Sequence, residues 1–242
     1  MITGKFTWAG KSSDDFKMKM LSQPTFSSPE KDETANSVPG RNGSVFVPNN
    51  RMNDISASFS FHAMIVSDFY STIRRIKNWL LAPDGYQPMI WDGAADLTYY
   101  VHLSGASLSF QQLSLTRVLI TISATIYPVA YYTNSLNEVS VTNNQVVTNN
   151  GLFIAKPKIR LVGSGNAEFA FGASHLVVKN VTDQITVDTL DGTVYDSENN
   201  PVYNELVTST YIDLPTLAVG DNIVTLPDGW TCYMMMRFGE FA

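Results

Sequence analysis

The pattern of apolar and polar positions divides the chain into one helical stretch and a long series of strands. Between residues 66 and 84, apolar side chains recur at the three- and four-residue spacing of an amphipathic helix: Phe69, Ile73, Ile76 and Leu80. Ser67 and Asp68 are suitable N-cap residues, and Pro83 predicts the end of the helix. Four polar residues fall largely off this stripe and are expected to face water: Arg74, Arg75, Lys77 and Asn78. The sequence therefore predicts one helix packed on a sheet.

Period-two alternation predicts strands in the rest of the first half. The clearest runs are residues 55–61 and 118–126, in which apolar residues alternate with serine, threonine and histidine or leucine. Further strands are predicted at residues 6–8, 17–21, 87–91, 97–104 and 108–111. We expect a mainly β N-terminal domain, a β-sandwich or split barrel with one α-helix, over residues 1–132.

The segment of residues 22–53 differs from its surroundings in composition, because it is polar and rich in proline. Four prolines punctuate it, and it contains a run of strong turn residues: Pro39, Gly40, Arg41, Asn42 and Gly43. Because a structureless loop of about thirty residues is unusual in a compact domain and tends to be functional, we interpret the segment as a projecting hairpin arm. Asn42 and Gly43 are expected at its tip.

The second half predicts a further β domain over residues 133–242. Residues 133–150 are interpreted as a short link that runs into its first strand. Beyond them, strands and turn signals alternate every eight to twelve residues, with strands predicted at 159–162, 168–171, 176–178, 185–190, 211–214, 223–226 and 231–238. This spacing is typical of a β-sandwich.

The composition narrows the range of functions that the protein could have. Charged residues make up only 16% of the 242 residues, a deficit that suits large protein contacts. The net charge of −6 argues against nucleic-acid binding, which needs clustered cations. Cys232 has no partner for a disulfide or a metal site, and we expect it to be a buried, inert thiol. The sequence shows no signal peptide and no membrane span, so we expect assembly in the cytoplasm.

Candidate chemistry is weak throughout the chain. His62, His102 and His175 lie among strands with no second ligand at a metal-binding spacing. Asp14 and Asp15 are adjacent in a turn, where aspartate is favoured for local hydrogen bonds. The GSG sequence at 163–165 precedes a strand and not a helix, so we interpret it as a hairpin turn and not as a phosphate loop. We predict no catalytic residue, no cofactor and no metal.

Aromatic residues offer the main alternative to a purely structural protein. Six of them could stack on sugars or could equally build cores and interfaces: Trp91, Tyr99, Tyr100, Tyr131, Tyr132 and Trp230. A carbohydrate-binding module is therefore the second hypothesis. A cell-wall hydrolase would need paired carboxylates or a metal set, and the sequence shows neither.

Several segments resemble a known family. Those in the N-terminal half are GKSSDDF (10–16), LSQPTFSSPEKD (21–32), VPGRNG (38–43) and IRRIKNWL (73–80). In this order they resemble the distal tail proteins of siphophages, which lie at the tail tip of phages that infect Gram-positive bacteria. NNG (149–151), PKIRLVGSG (157–165), YIDLPTLAVGDN (211–222) and the strand with Trp230 are similar to the C-terminal pattern of that family. PGRNG, with SSPE before it, is the most specific part.

The resemblance implies a hub at the virion tail tip. It implies an N-terminal domain that forms a homohexameric ring continuing the tail tube, and a galectin-like C-terminal β-sandwich pointing outward. The implied partners are the major tail tube protein, the tail-associated tip protein and, in the adsorption apparatus, a receptor-binding protein. DNA would pass through the channel without specific binding, and no membrane anchor or enzymatic activity is implied. Relatives with an inserted carbohydrate-binding module are longer than this chain.

The residues agree with a ring on separate grounds. A ring needs a heterologous interface, in which one surface patch meets a different patch on the next copy. The arm can supply one of these patches, so we predict an interface at Pro39, Gly40, Arg41, Asn42 and Gly43, with Arg41 paired to a neighbouring subunit. A negatively charged chain also suits a channel for DNA, because it repels phosphate.

Overall fold

A computed structural model describes residues 4–66, 68–205 and 214–242. The described chain is mainly β, with several antiparallel sheets and one α-helix, as predicted. It forms two compact units: Met1–Ala130 with Phe241–Ala242, and Tyr131–Glu240. The assignment of residues 1–132 to a ring-forming domain and 133–242 to a galectin-like domain stays a prediction.

One antiparallel sheet organises the first unit. Its strands lie in the order β2 (Lys11–Ser12), β1 (Phe6–Trp8), β7 (Gln87–Trp91), β8 (Leu97–Leu103), β10 (Arg117–Ile126), β6 (Ile55–Met64) and β3 (Met18–Met20). Strand β9 (Ser109–Ser114) also pairs with β10. The pairing of β6 with β10 runs from Ile55 opposite Ile126 to Met64 opposite Arg117. The two runs of clearest alternation are thus neighbours that bury the same face.

The helix α1 (Phe69–Leu81) is capped by Asp68, whose carboxylate accepts a hydrogen bond from the backbone N–H of Ser71 at 2.9 Å. Its buried residues are Thr72, Ile76, Trp79 and Leu80. The predicted stripe was therefore wrong in the N-terminal turns of the helix, because Phe69 and Ile73 are only half-buried. Trp79 is buried because its ring stacks on that of Phe16, with ring centroids 4.0 Å apart. The buried face of the helix therefore includes Trp79, which the predicted stripe did not. The four polar residues predicted to face water are exposed.

The arm is a sheet of its own, formed by β4 (Lys31–Ser37) and β5 (Ser44–Met52). The predicted hairpin is thereby confirmed for residues 31–52, but not for the start of the segment, because Phe26 forms a bridge to Ala57 of β6. Among the described residues, neither strand pairs with any other strand.

The second unit is a β-sandwich. One sheet has the order β12 (Val139–Val141), β20 (Thr231–Met235), β14 (Lys158–Val162), β17 (Gln184–Asp188) and β18 (Thr193–Tyr195). The other has the order β13 (Gln145–Asn149), β19 (Gly220–Thr225), β15 (Gly165–Phe171) and β16 (Ser174–Val181). A single core fills the space between them, with Ile159 and Val187 from the first sheet and Phe169 and Leu176 from the second. The chain leaves and re-enters the first unit within β11 (Val129–Tyr132) and β21 (Gly239–Phe241).

In the second half, one predicted turn is wrong and one predicted strand lies almost wholly outside the described residues. Gly163-Ser164-Gly165 is not a hairpin turn, because β14 and β15 lie in different sheets and the glycines carry the chain from one to the other. A Cβ at Gly163 would lie 2.5 Å from the Trp230 ring, so the glycine allows this ring to pack on the crossing. The strand predicted at 211–214 lies almost wholly outside the described residues.

Candidate functional site

The hairpin arm is the most distinctive feature of the first unit. Its register runs from Lys31 opposite Met52 to Ser37 opposite Ser44, with an irregularity between Lys31 and Glu33. Strong alternation of apolar residues is absent, because no core lies beneath either face. Nearly every arm residue is exposed or half-buried as a result. A two-stranded sheet without a packed face is marginally stable in water, so the arm gains most by contact with another surface.

The tip of the arm contains all five predicted interface residues. The backbone N–H of Arg41 donates to the carbonyl oxygen of Val38 at 3.1 Å, which closes a turn over Pro39 and Gly40. Gly40 and Gly43 have φ values of 80° and 82°. Glycine adopts these left-handed values without the steric cost that a Cβ would add. Arg41 is exposed, and it has no ion-pair partner among the described residues.

Polar contacts hold the base of the arm. The backbone N–H of Asn53 donates to the carbonyl of Glu30 at 2.8 Å. Across the strands, the Asp32 carboxylate accepts from Arg51 Nε at 2.5 Å and from Asn49 Nδ2 at 2.9 Å. The hydrogen bond from Arg51, followed by that from Asn49, lowers the pKa of Asp32. The base is thus fixed by exposed polar groups and not by apolar packing.

Apolar side chains project from the arm into solvent. Phe46 is 63% exposed, and Val38 and Val47 are also largely exposed. Scattered apolar residues are normal on protein surfaces, but a large exposed aromatic ring on an isolated hairpin is typical of a contact surface.

A second exposed apolar surface lies where β6 and β9 end and β10 and α1 begin. We call it the end patch, and it consists of Met64, Val66, Tyr70, Leu113 and Leu115. Arg117 is opposite both Met64 and Ser114, so the three strand ends are adjacent. This surface was not predicted from the sequence. The available signal was Leu113-Ser-Leu115, in which Leu113 lies near the end of β9 and Leu115 lies in the turn that follows.

The histidines do not come together. His62 lies on β6 with Nδ1 buried and without a hydrogen-bond partner among the described residues, and burial lowers its pKa, helped by Arg117 and Lys19. His102 Nδ1 lies 3.2 Å from the carbonyl oxygen of Gly85, and His175 Nδ1 lies 3.2 Å from Glu168 Oε1. Among the described side chains, no group of three histidine, cysteine or carboxylate residues could hold a metal ion.

Asp14 is engaged in an ion-pair network. Its carboxylate bonds Lys19 and lies 2.7 Å from Lys5 Nζ. These two hydrogen bonds, that from Lys19 first, lower the pKa of Asp14 to about 2. A carboxylate that stays ionised in this way cannot supply a proton near neutral pH.

The aromatic residues considered for sugar stacking largely serve the interior. Trp91 and Tyr99 are buried and stack on each other, with centroids 4.2 Å apart. Trp230 packs edge-on against Phe169, and Tyr132 donates its hydroxyl proton to Glu240 at 2.8 Å. Trp91 and Tyr99 are therefore not available to stack on a sugar.

Comparison with known proteins agrees with the sequence motifs. Residues 1–112 match the family model of the phage tail protein N-terminal domain. Over its whole length the chain is similar in structure to the Dit protein of phage SPP1, described as a paradigm of the hub adsorption apparatus in Gram-positive-infecting phages. That match has a TM-score of 0.63 at 16% identity and covers 98% of each chain. The resemblance to distal tail hub proteins is confirmed.

Two further structures share the fold. A chain of the phage P2 baseplate in its activated conformation with Ca matches with a TM-score of 0.56 at 10% identity, covering 93% of this chain and 92% of that one. A chain of the phage p2 baseplate with Sr matches with a TM-score of 0.57 at 10% identity, covering 95% and 96%. No curated protein sequence matches the chain. Together, the family model and the shared fold support a structural role in a phage tail. Within the described residues, no helix is long and apolar enough to span a bilayer.

Proposed function

We propose that this protein is a structural hub of a siphophage tail tip. Six copies form a ring through their N-terminal units, and the ring joins the major tail tube protein to the tail-associated tip protein. The C-terminal units, galectin-like sandwiches, carry the host-adsorption apparatus with its receptor-binding protein. The role is structural and not enzymatic.

The arm is the observation that carries this proposal. It exposes Phe46 and the Pro39–Gly43 tip, and its two strands have no apolar face packed beneath them. Such a hairpin becomes well ordered when a neighbouring subunit covers it. The arm of one copy would contact a different surface on the next copy. A closed ring requires such an interface between two unlike surfaces.

The charge of the chain supports passage of DNA through the ring. The net charge of −6 would repel phosphate, so DNA would slide through a channel without being held. Among the described cations, Lys5 and Lys19 are both paired with Asp14.

Solution mass tests the ring. Six chains of 26.8 kDa give about 161 kDa, and size-exclusion chromatography with light scattering should reveal that species over a range of protein concentrations. Negative-stain images of the same fraction should show six-fold rings with a central hole. A chain that remains monomeric at high concentration and with the purified tube and tip proteins added would refute the proposal.

A carbohydrate-binding role is the second candidate. One face of the five-stranded sheet carries half-exposed aromatic rings, Tyr233 and Tyr195. Arg160, directly opposite Tyr233, lies over its ring at 4.1 Å from the centroid. Aromatic rings beside polar groups on an open sheet can stack on sugars. Saturable binding of wall polysaccharide that Tyr233→Ala abolishes, while the oligomer stays intact, would support this role.

A further inference from the structure

The arm and the end patch lie at opposite ends of strand β6. The base of the arm is at the start of the strand, since β5 ends at Met52 and β6 begins at Ile55. The end patch begins at Met64, the last residue of β6. Ten residues at the usual strand rise separate the two by about 30 Å. The arm of one chain does not cover that chain's own patch, because Leu115 is 88% exposed and Tyr70 is 80% exposed.

The end patch combines apolar side chains with uncompensated positive charge. Met64 is flanked across the sheet by Lys17, whose carbonyl accepts the Met64 N–H at 3.1 Å, and by Arg117, its strand partner. Within the described part of the chain, neither cation forms a salt bridge. The patch therefore fits a partner surface that is apolar and carries negative charge.

One face of the arm has this chemistry. Phe46 is opposite Ala35, and Pro48 is opposite Glu33. Because side chains two residues apart on a strand share a face, Phe46, Pro48 and Glu33 project to the same side. Glu33 is exposed and forms no salt bridge with any described residue. Of the paired strand residues on this face, which are 33, 35, 37, 44, 46 and 48, Glu33 is the one that is charged.

We propose that the Phe46 face of the arm docks on the end patch of a second copy of this chain, with Glu33 against Arg117 and Lys17. The inference rests on the proposed ring and specifies which two patches meet. A contact between opposite ends of one unit is head-to-tail, so successive copies can close into a ring without leaving either surface open. The exposed apolar groups on both sides and the unpaired charges on both sides are then explained by a single contact.

Charge reversal tests the pairing of Glu33 with Arg117. Glu33→Arg or Arg117→Glu should raise the protein concentration of half-dissociation about tenfold. The double variant should recover part of that loss, because opposite charges again face each other. Lys179→Glu, an exposed reversal on the second unit, is the matched control and should leave association unchanged. Circular dichroism should show that all four variants stay folded.

Disulfide trapping tests the position of the contact. A Phe46→Cys chain mixed with a Leu115→Cys chain should give a mixed disulfide-linked dimer on mild oxidation, whereas neither chain alone should. The natural thiol does not interfere, because Cys232 is buried and burial raises its pKa to about 12.

The outcomes separate this inference from the proposed ring. An oligomer of wild-type mass that forms no mixed disulfide and ignores both charge reversals would refute the docking and leave the ring standing. Disulfides in the Phe46→Cys chain alone would indicate a symmetric arm-to-arm contact and would also refute the docking on the end patch. A wild-type chain that never associates would refute the ring together with the docking.

Discussion

Arg237 and Asp188 form a two-pronged ion pair in the second unit, with Nη1–Oδ1 and Nη2–Oδ2 distances of 2.5 and 2.7 Å. Their side chains are only 13% and 8% exposed. Oδ1 of Asp188 also accepts the backbone N–H of Leu190 at 3.1 Å. The Arg237 backbone has a φ of 56°, a left-handed value that is uncommon outside glycine. The ion pair is therefore positioned to hold a backbone conformation at the start of the final segment of the chain.

Asp188→Asn should destabilise the second unit by about 3–5 kcal/mol, because it leaves the Arg237 guanidinium buried without a counter-charge. Urea unfolding followed by near-UV circular dichroism measures the change. Asp183→Asn, at an exposed carboxylate in the turn between β16 and β17, should cost less than about 0.5 kcal/mol. Equal losses in the two variants would show that the pair has no special role.

The same pair predicts a dependence on pH. Burial by itself would raise the pKa of Asp188, but the hydrogen bonds and charge of Arg237 outweigh it and hold the pKa below its ordinary value of 3.8. Because the unfolded chain then binds the proton more readily, the stabilisation is complete above pH 3.8 and is lost as the pH falls through the lower folded-state value.

Wild type and Asp188→Asn should thus differ most near neutral pH and converge in acid. Urea midpoints measured from pH 7 down to about pH 2 test this expectation. A difference that stays constant over the whole range would contradict it.

Gly163→Ala should cost about 1–3 kcal/mol, because the new Cβ would collide with the Trp230 ring where the chain changes sheets. Trp230 fluorescence should shift in the same variant. If the collision is the cause, Gly163→Ala should cost far less in a Trp230→Leu background, and a double-mutant cycle of unfolding free energies measures that coupling. Purely additive losses would place the cause elsewhere.

Arg41→Ala should weaken association of the chain while leaving the unfolding free energy of the isolated chain within about 0.5 kcal/mol. The reason is that Arg41 is exposed at the tip and has no described ion-pair partner within its own chain. Lys77→Ala, an exposed cation on the helix, is the control. If Arg41→Ala leaves both the oligomer mass and the thermal midpoint unchanged, Arg41 does not pair with a neighbour.

Local patterns predicted most of the secondary structure, since each strand carries its own alternation. The alternating runs at 55–61 and 118–126 became β6 and β10, and Asp68 proved to be the helix N-cap. The turn residues of the arm likewise specify a hairpin without reference to the rest of the chain. Where a residue's role depends on neighbours close in sequence, the sequence was sufficient to predict that role.

The predictions were wrong where the role of a residue depends on partners that are distant in sequence. Trp79 defines the buried face of the helix because Phe16 lies in position to stack on it, and helical spacing alone does not reveal this. The glycines at 163 and 165 look like a hairpin, but pairing of β14 with β17 and β20 takes that strand into a different sheet from β15. Leu113 and Leu115 lie between the predicted strands 108–111 and 118–126, and the structure is needed to show that both are exposed at the end of β9 and in the turn that follows it.

The separate two-strand sheet of the arm also bears on the kinetics of assembly. A hairpin whose backbone hydrogen bonds face solvent opens readily, so its amide protons should exchange with solvent far faster than those of β6 and β10. Ordering such a segment on a neighbour costs conformational entropy, which weakens each single contact and shortens its lifetime. In the proposed ring, a misplaced copy would therefore leave before the circle is complete, and only closure, which engages every arm at once, would make the assembly long-lived.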